Sequence, residues 1–293
     1  MDNTLLALHY VWPKPITQLY KLLQTPQTLT HLFDWTPQQL KQQLNVSLKK
    51  AQYIYEKLQA YRHVSFLSYY AERHITPIHF FDPRYPALLK EIYDPPAVIY
   101  VKGQPSLLAM PKKIAVVGTR KATHYSKKAL EQLLPPLIND EIAIVSGLAR
   151  GADKMAHELT ITLGGATIAV LGHGFDYMYP REHQYLYEEM ATNHLLVTEY
   201  PPYMGPRKWQ FPMRNRLISG LSCGIIITEA MKKSGTLSTV EYGLNHGREI
   251  FVVPGDISSP FSELPHELAS DGAKIVWNGT QILDEIRHFS FLK

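Results

Sequence analysis

Beyond Lys112 short apolar runs, rich in valine and isoleucine, alternate with longer amphipathic stretches. The runs are Ile114 to Val117, Ile142 to Val145, Thr167 to Leu171, Leu195 to Thr198, Ile225 to Thr228 and Ile250 to Val253. A strand apolar on both faces must be covered on both, and helix-length spacers supply that cover through right-handed crossovers. The pattern predicts an α/β fold over residues 112–293: a Rossmann-like parallel sheet with helices on both faces.

Residues 1–72 carry helical signals and no convincing strand, so a small all-helical domain is expected ahead of the sheet. Thr36-Pro37-Gln38-Gln39 has the form of an N-cap, a proline at the first helical position and a glutamine closing a capping box, with Trp35 and Leu40 placed as a hydrophobic staple. Ser47 can cap a further helix in which Ala51, Ile54 and Leu58 recur at helical spacing, with Lys49, Lys50 and Lys57 elsewhere on its surface. Such a module either touches DNA or a protein, or only caps its neighbour. Over 73–111 the prolines crowd, from Pro77 to Pro111, around extended pieces such as Val98-Ile99-Tyr100-Val101. That segment reads as a connector extending the sheet domain by one or two edge strands.

Ligands of an open parallel sheet bind beyond the carboxyl ends of its strands, and here the residues after each run share a character. The first run is followed by Gly118-Thr119-Arg120, the second by Ser146-Gly147-Leu148-Ala149-Arg150-Gly151, and the third by Gly172-His173-Gly174 leading to Tyr179-Pro180-Arg181. After the fourth, Phe211 to Arg216 opens a helix containing Arg214, Asn215 and Arg216; after the fifth, Ser234-Gly235-Thr236 stands at another helix start. Glycine admits a ligand close to the backbone, helix N-termini favour anions, and guanidinium groups fork onto phosphate oxygens. Any one such loop is an ordinary tight turn; several on one edge describe an elongated anion-binding crest. Aromatic residues interleave with it at Tyr177, Tyr179, Tyr185, Trp209 and Phe211.

Other chemistry is poorly supplied. G-x-G-x-x-G does not follow the first run and G-x-x-x-x-G-K-[ST] is absent, which argues against dinucleotide redox chemistry, P-loop hydrolysis and any nucleotide cofactor. Glu199 and Glu229 follow strands but lack an adjacent base or nucleophile, and are expected to cap a helix or pair with an arginine. The thirteen histidines show no metal-site spacing, and the single cysteine, Cys223, sits among apolar neighbours as a small buried hydrophobe, so no metal is expected. A formal net charge of +4 tilts the chain toward anionic partners. No apolar run approaches the ~20 residues of a membrane span. Asp2 and His9, without a basic patch, do not make a leader of the N-terminus, so a cytoplasmic location is expected.

SGLARGADKMAH (Ser146 to His157), GHGFDYMYP (Gly172 to Pro180), FPMRNRLISGLS (Phe211 to Ser222), EAMKKSGTLSTVEYG (Glu229 to Gly243) and GREIFVVPG (Gly247 to Gly255) resemble, in order, the signatures of the DprA/Smf family, over about Ile75 to Ala273. The N-terminal part resembles the SAM-like domain of many members. The resemblance implies a non-enzymatic protein that binds single-stranded DNA, dimerises, and loads the RecA recombinase in natural transformation, in some cases displacing single-strand-binding protein. It implies DNA contacts at Gly118, Thr119, Arg120, Arg181, Arg214, Asn215, Arg216, Ser234, Gly235 and Thr236, to which the loop reading adds Ser146, Gly147, Arg150 and Gly151. The sequence departs from relatives at Leu264 and His266, where a glycine and an asparagine are common, and it is expected to lack the winged-helix-like C-terminal domain of some members.

Two other readings stay open. Nucleoside-monophosphate phosphoribohydrolases share the fold and look similar around Arg214 and Gly235-Thr236, but their glutamate position is occupied by Thr239 and their lysine by Asn215. Glu241, two residues on, is rotated by about 200° on a helix and should face away. The third reading is a nucleotide-binding or scaffold protein that kept the fold and lost DNA binding.

Overall fold

The computed structural model describes residues 2–23, 29 and 31–287; residues 1, 24–28, 30 and 288–293 of the two expected domains lie outside that set. The six apolar runs form strands β3 (Lys113–Val117), β4 (Ala143–Ser146), β5 (Thr167–Val170), β6 (Leu195–Thr198), β7 (Gly224–Ile227) and β8 (Glu249–Val252). They pair in parallel, and a two-residue strand that the sequence did not announce, β9 (Lys274–Ile275), joins β8. With β1 (Thr76–His79) and β2 (Val98–Gly103) the sheet has nine strands in the order β1-β2-β6-β5-β4-β3-β7-β8-β9.

Alternate residues of each strand enter different cores, the period-two rule of a sheet buried on both sides. Ala115 and Val117 of β3 join one cluster with Leu217, Ile218 and Leu221; Ile114 and Val116 join another with Leu130, Leu134 and Ile282. Each fully buried valine or isoleucine contributes about 1.5–3 kcal/mol.

Helices α1 (Asp2–Val11), α2 (Ile16–Leu23), α3 (Pro37–Leu44), α4 (Leu48–Ala60) and α5 (Phe66–Ala71) build the N-terminal module. The capping box at Thr36 and Gln39 is present, and Ser47 accepts from the Lys50 amide to cap α4, whose buried residues are Ala51, Ile54 and Leu58. This module shares a core with Ala97, Val98 and Tyr100. His9 Nδ1 meets Tyr100 Oη at 2.9 Å, and the Tyr70 hydroxyl donates to Tyr100 at 3.2 Å, so α1 and α5 are fastened to β2.

The proline-rich segment corrects one expectation. Val98–Val101 is not an edge: these four residues are buried, β2 runs antiparallel between β1 and β6, and of the two strands in this segment β1 alone is an edge. Further on come α6 (Ala87–Lys90), α7 (His124–Asn139), α8 (Ala152–Thr162), α9 (Gln184–Asn193), α10 (Gln210–Leu221), α11 (Gly235–Asn245), α12 (Glu263–Ser270) and α13 (Gly279–Ile286). Strands β4, β5 and β6 lie to one side of β3 and β7, β8 and β9 to the other, so strand order reverses between β3 and β7 and opens a crevice there.

Candidate nucleic-acid interface

A cleft of about 650 Å³ occupies that crevice. Its walls include Gly118, Thr119 and Arg120 after β3, Arg214 and Asn215 on α10, and Ser234, Gly235 and Thr236 at the start of α11. An adjoining groove shares Arg120, Tyr179, Phe211 and Arg214 with it and adds Gly147 and Arg150. Tertiary structure thus brings ten of the expected residues into one depression. Ser146, Gly151, Arg181 and Arg216 do not line it. Ser146 donates to the Val116 carbonyl at 2.6 Å, and Arg181 is exposed beside Pro180 at the groove's end. Gly151 has φ +71°, and a Cβ there would lie 2.3 Å from the Thr119 carbonyl oxygen, so it lets two crest loops touch.

Two arginines expected to grip phosphate have other occupations. Arg214 is 5% exposed; its guanidinium donates to the carbonyls of Gly147, at 2.6 Å, and Val170. Burial pushes its pKa down to about 10, with Asp153 opposing the fall, so it stays charged at neutral pH. Gly147 has no side chain because one would collide with that guanidinium, 2.5 Å from its Cβ position. Arg216, 3% exposed, donates at 2.5 Å to Glu199, itself buried. A third, Arg150, is exposed but forked onto Glu182, with Nη2 to Oε2 at 2.8 Å. The sequence displayed these arginines without their partners.

Two carboxylates are likewise spent on the loops of the crest. Asp153, buried in the first turn of α8, accepts from the amides of Gly147 at 3.1 Å and Ala149 at 3.3 Å. Burial raises its pKa, while Arg214 and those amides pull it back. Glu229 holds the turn that starts α7, accepting from the Thr123 amide at 2.8 Å and the Ser126 hydroxyl at 2.7 Å. It thus braces the N-cap residue Thr123, whose own hydroxyl caps the helix by accepting from the Tyr125 amide at 3.1 Å, while Glu199 pairs with an arginine, one of the two roles expected. The N-terminus of α11 opens onto the cleft: Ser234 makes no capping bond, and its buried hydroxyl has no partner. Asn215 steadies this turn, donating to Ser238 at 2.8 Å.

Facing α11 are Arg120, Lys121 and Lys208, all exposed, and none forms an ion pair among the described residues. Lys121 and Lys208 were not among the expected residues; the signal was their adjacency to Arg120 and Trp209. Thr239 is buried and Glu241 exposed, so Glu241 does not take the place of the glutamate a phosphoribohydrolase needs. Leu264 packs into the core and His266 meets the Gly255 carbonyl at 3.2 Å, an internal use for both departures. No helix among the described residues is long and apolar enough to cross a membrane.

Fold and cleft together define a Rossmann-like protein whose crevice at the strand-order reversal is basic and carries an open helix N-terminus. The profile of the DNA recombination-mediator protein A family matches residues 76–287, and the chain belongs to that family. It is 44% identical over 220 residues to DNA processing protein DprA of Bacillus subtilis, covering 75% of this chain and 74% of the relative. It is 38% identical to protein Smf of Escherichia coli, covering 69% of this chain and 54% of that one. The crystal structure of DprA from Streptococcus pneumoniae superposes with a TM-score of 0.83 at 34% identity over 95% of both chains. A structure of DNA processing protein A from Helicobacter pylori, described for its single-stranded DNA binding mode, gives 0.65 at 30% identity over 73% of this chain and 96% of that one.

Proposed function

We propose that this protein binds single-stranded DNA in the β3/β7 crevice, without turnover, and passes the strand to the RecA recombinase during natural transformation in the cytoplasm, acting as a homodimer and displacing single-strand-binding protein. The observation that carries the binding reading is the combination at the cleft of unpaired Arg120, Lys121 and Lys208 with the uncapped α11 terminus at Ser234. Backbone amides and cations around one cavity form a polyanion site. The remaining expected contacts take two roles in this reading. Gly235 and Thr236 offer backbone to the strand, Gly118 and Thr119 shape the turn that presents Arg120, with the Thr119 amide donating to the Glu229 carbonyl at 2.6 Å, and Arg214, Asn215, Asp153 and Gly147 hold the loops in shape. The resemblance to DprA/Smf proteins supports the dimer, RecA and single-strand-binding-protein parts.

The test is a titration of labelled oligonucleotide, single strand against duplex, at two salt concentrations. With three or four phosphates neutralised, log affinity should fall against log salt with a slope of about −2 to −3 at ~0.7 per contact. Equal affinity for duplex, or no salt dependence, would overturn the reading, and release of free base from adenosine monophosphate would establish turnover.

A further inference from the structure

Exposed aromatic rings continue past the crest onto the helical module. Tyr179 meets Phe211 at the cleft with ring centroids 5.4 Å apart. Tyr177 lies against Gly205, where a Cβ would come within 3.2 Å of its ring. The loops that carry these rings are tied together, the Gly174 amide donating to the Met204 carbonyl at 2.7 Å and the Asp176 amide to the Pro202 carbonyl at 3.1 Å. Between them stands Tyr203, whose hydroxyl donates to the Tyr10 carbonyl of α1 at 2.7 Å and whose ring lies 4.8 Å from that of Tyr10. Tyr10 in turn meets Tyr61, the residue that ends α4, with ring centroids 5.2 Å apart, and on the same helix Lys50 sits over the Tyr53 ring at 4.5 Å.

Tyr179, Tyr177, Tyr203 and Tyr53 are 47, 45, 42 and 46% exposed, so each presents part of a ring to water. Arg207 and Lys208 flank the row on the 200s loop and Lys50 ends it. Rings for bases beside cations for phosphates are what single-strand binders combine. A duplex, with its bases stacked inside, has nothing to lay on such rings.

We propose that the single strand held in the crevice runs on across the 202–205 loop to α4, stacking bases on Tyr177, Tyr203 and Tyr53 and placing a phosphate at Lys50. This rests on the crevice being the strand's site. The helical module then lengthens the footprint and contributes preference for single strands. Asp176, exposed beside Tyr177, opposes phosphate there, so stacking holds that stretch.

The full chain is titrated with oligothymidylates of about 6 and about 20 nucleotides, lengths chosen to fill the crevice alone or to exceed it. Tyr53→Ala weakens the longer oligomer by about 5- to 150-fold, the loss of one stacked base, and leaves the shorter one unchanged. Tyr53→Trp restores affinity, and Lys50→Ala lowers the salt slope for the longer oligomer by about 0.7. Both positions are on the module's surface, and an unchanged melting temperature verifies folding. If wild-type protein binds the shorter oligomer but neither alanine variant changes the affinity or salt slope of the longer, the extension is overturned and the crevice reading stands. Failure of wild-type protein to bind either length removes both.

Discussion

Replacing Arg214 with methionine separates architecture from DNA contact at the crest. The substitution keeps the aliphatic stem and deletes the guanidinium that Gly147 and Val170 accept from and that faces buried Asp153. Stranding a buried charge costs about 3–5 kcal/mol. Asp153 limits the loss by taking up a proton, since burial already raises its pKa. At about 2–4 °C per kcal/mol the melting temperature should fall by roughly 6–20 °C. Arg120→Met removes an exposed guanidinium at the mouth of the same cleft and should leave melting within about 1–2 °C of wild type, in the range of surface substitutions. It should nevertheless weaken oligonucleotide binding. Adding Asp153→Asn to Arg214→Met should recover part of the lost stability, a coupling measurable in a double-mutant cycle by urea denaturation. Should Arg214→Met melt with wild type and lose DNA as Arg120→Met does, the assignment of Arg214 to loop architecture is refuted.

Glu182→Gln should release Arg150 toward the strand, tightening single-strand binding at low salt and steepening the salt slope by about 0.7, as a titration would show; an unchanged slope would mean that Arg150 never reaches phosphate. Stability should fall on acidification, because burial holds His9 and His157 at about 3 while the unfolded chain titrates near 6.5. Below pH 6.5 the unfolded state binds protons that the folded state refuses, so stability is lost as pH drops toward 3, by up to about 1.4 kcal/mol per pH unit for each histidine. Denaturation midpoints between pH 7 and 5 should shift less in His157→Gln than in wild type; parallel shifts would contradict this.

Strands β3 to β8 were legible because burial on both faces is written along the chain as an uninterrupted apolar run. The caps at Thr36 and Ser47 were legible because their partners lie three residues away. The place of β2 was not: the same four residues suit an edge or an interior strand, and its neighbour β6 lies nearly a hundred residues further on. The crest glycines and arginines were visible as a set, and ten of the fourteen do share one depression. Which of the arginines remain free was not visible.

Sequence alone determined the six parallel strands β3 to β8, their crossovers and the concentration of glycine, hydroxyl and guanidinium groups at the strands' carboxyl ends, since each follows from local pattern and the handedness of the chain. Tertiary structure decided which of those groups face outward. Arg214 and Arg216, two residues apart on α10, are claimed by different interiors, and Asp153 and Glu229 are spent on the 147–149 loop and the Thr123 turn while the Ser234 hydroxyl is left without a partner. Burial and pairing depend on what the fold lays across a side chain, and no pattern of neighbours in sequence contains that.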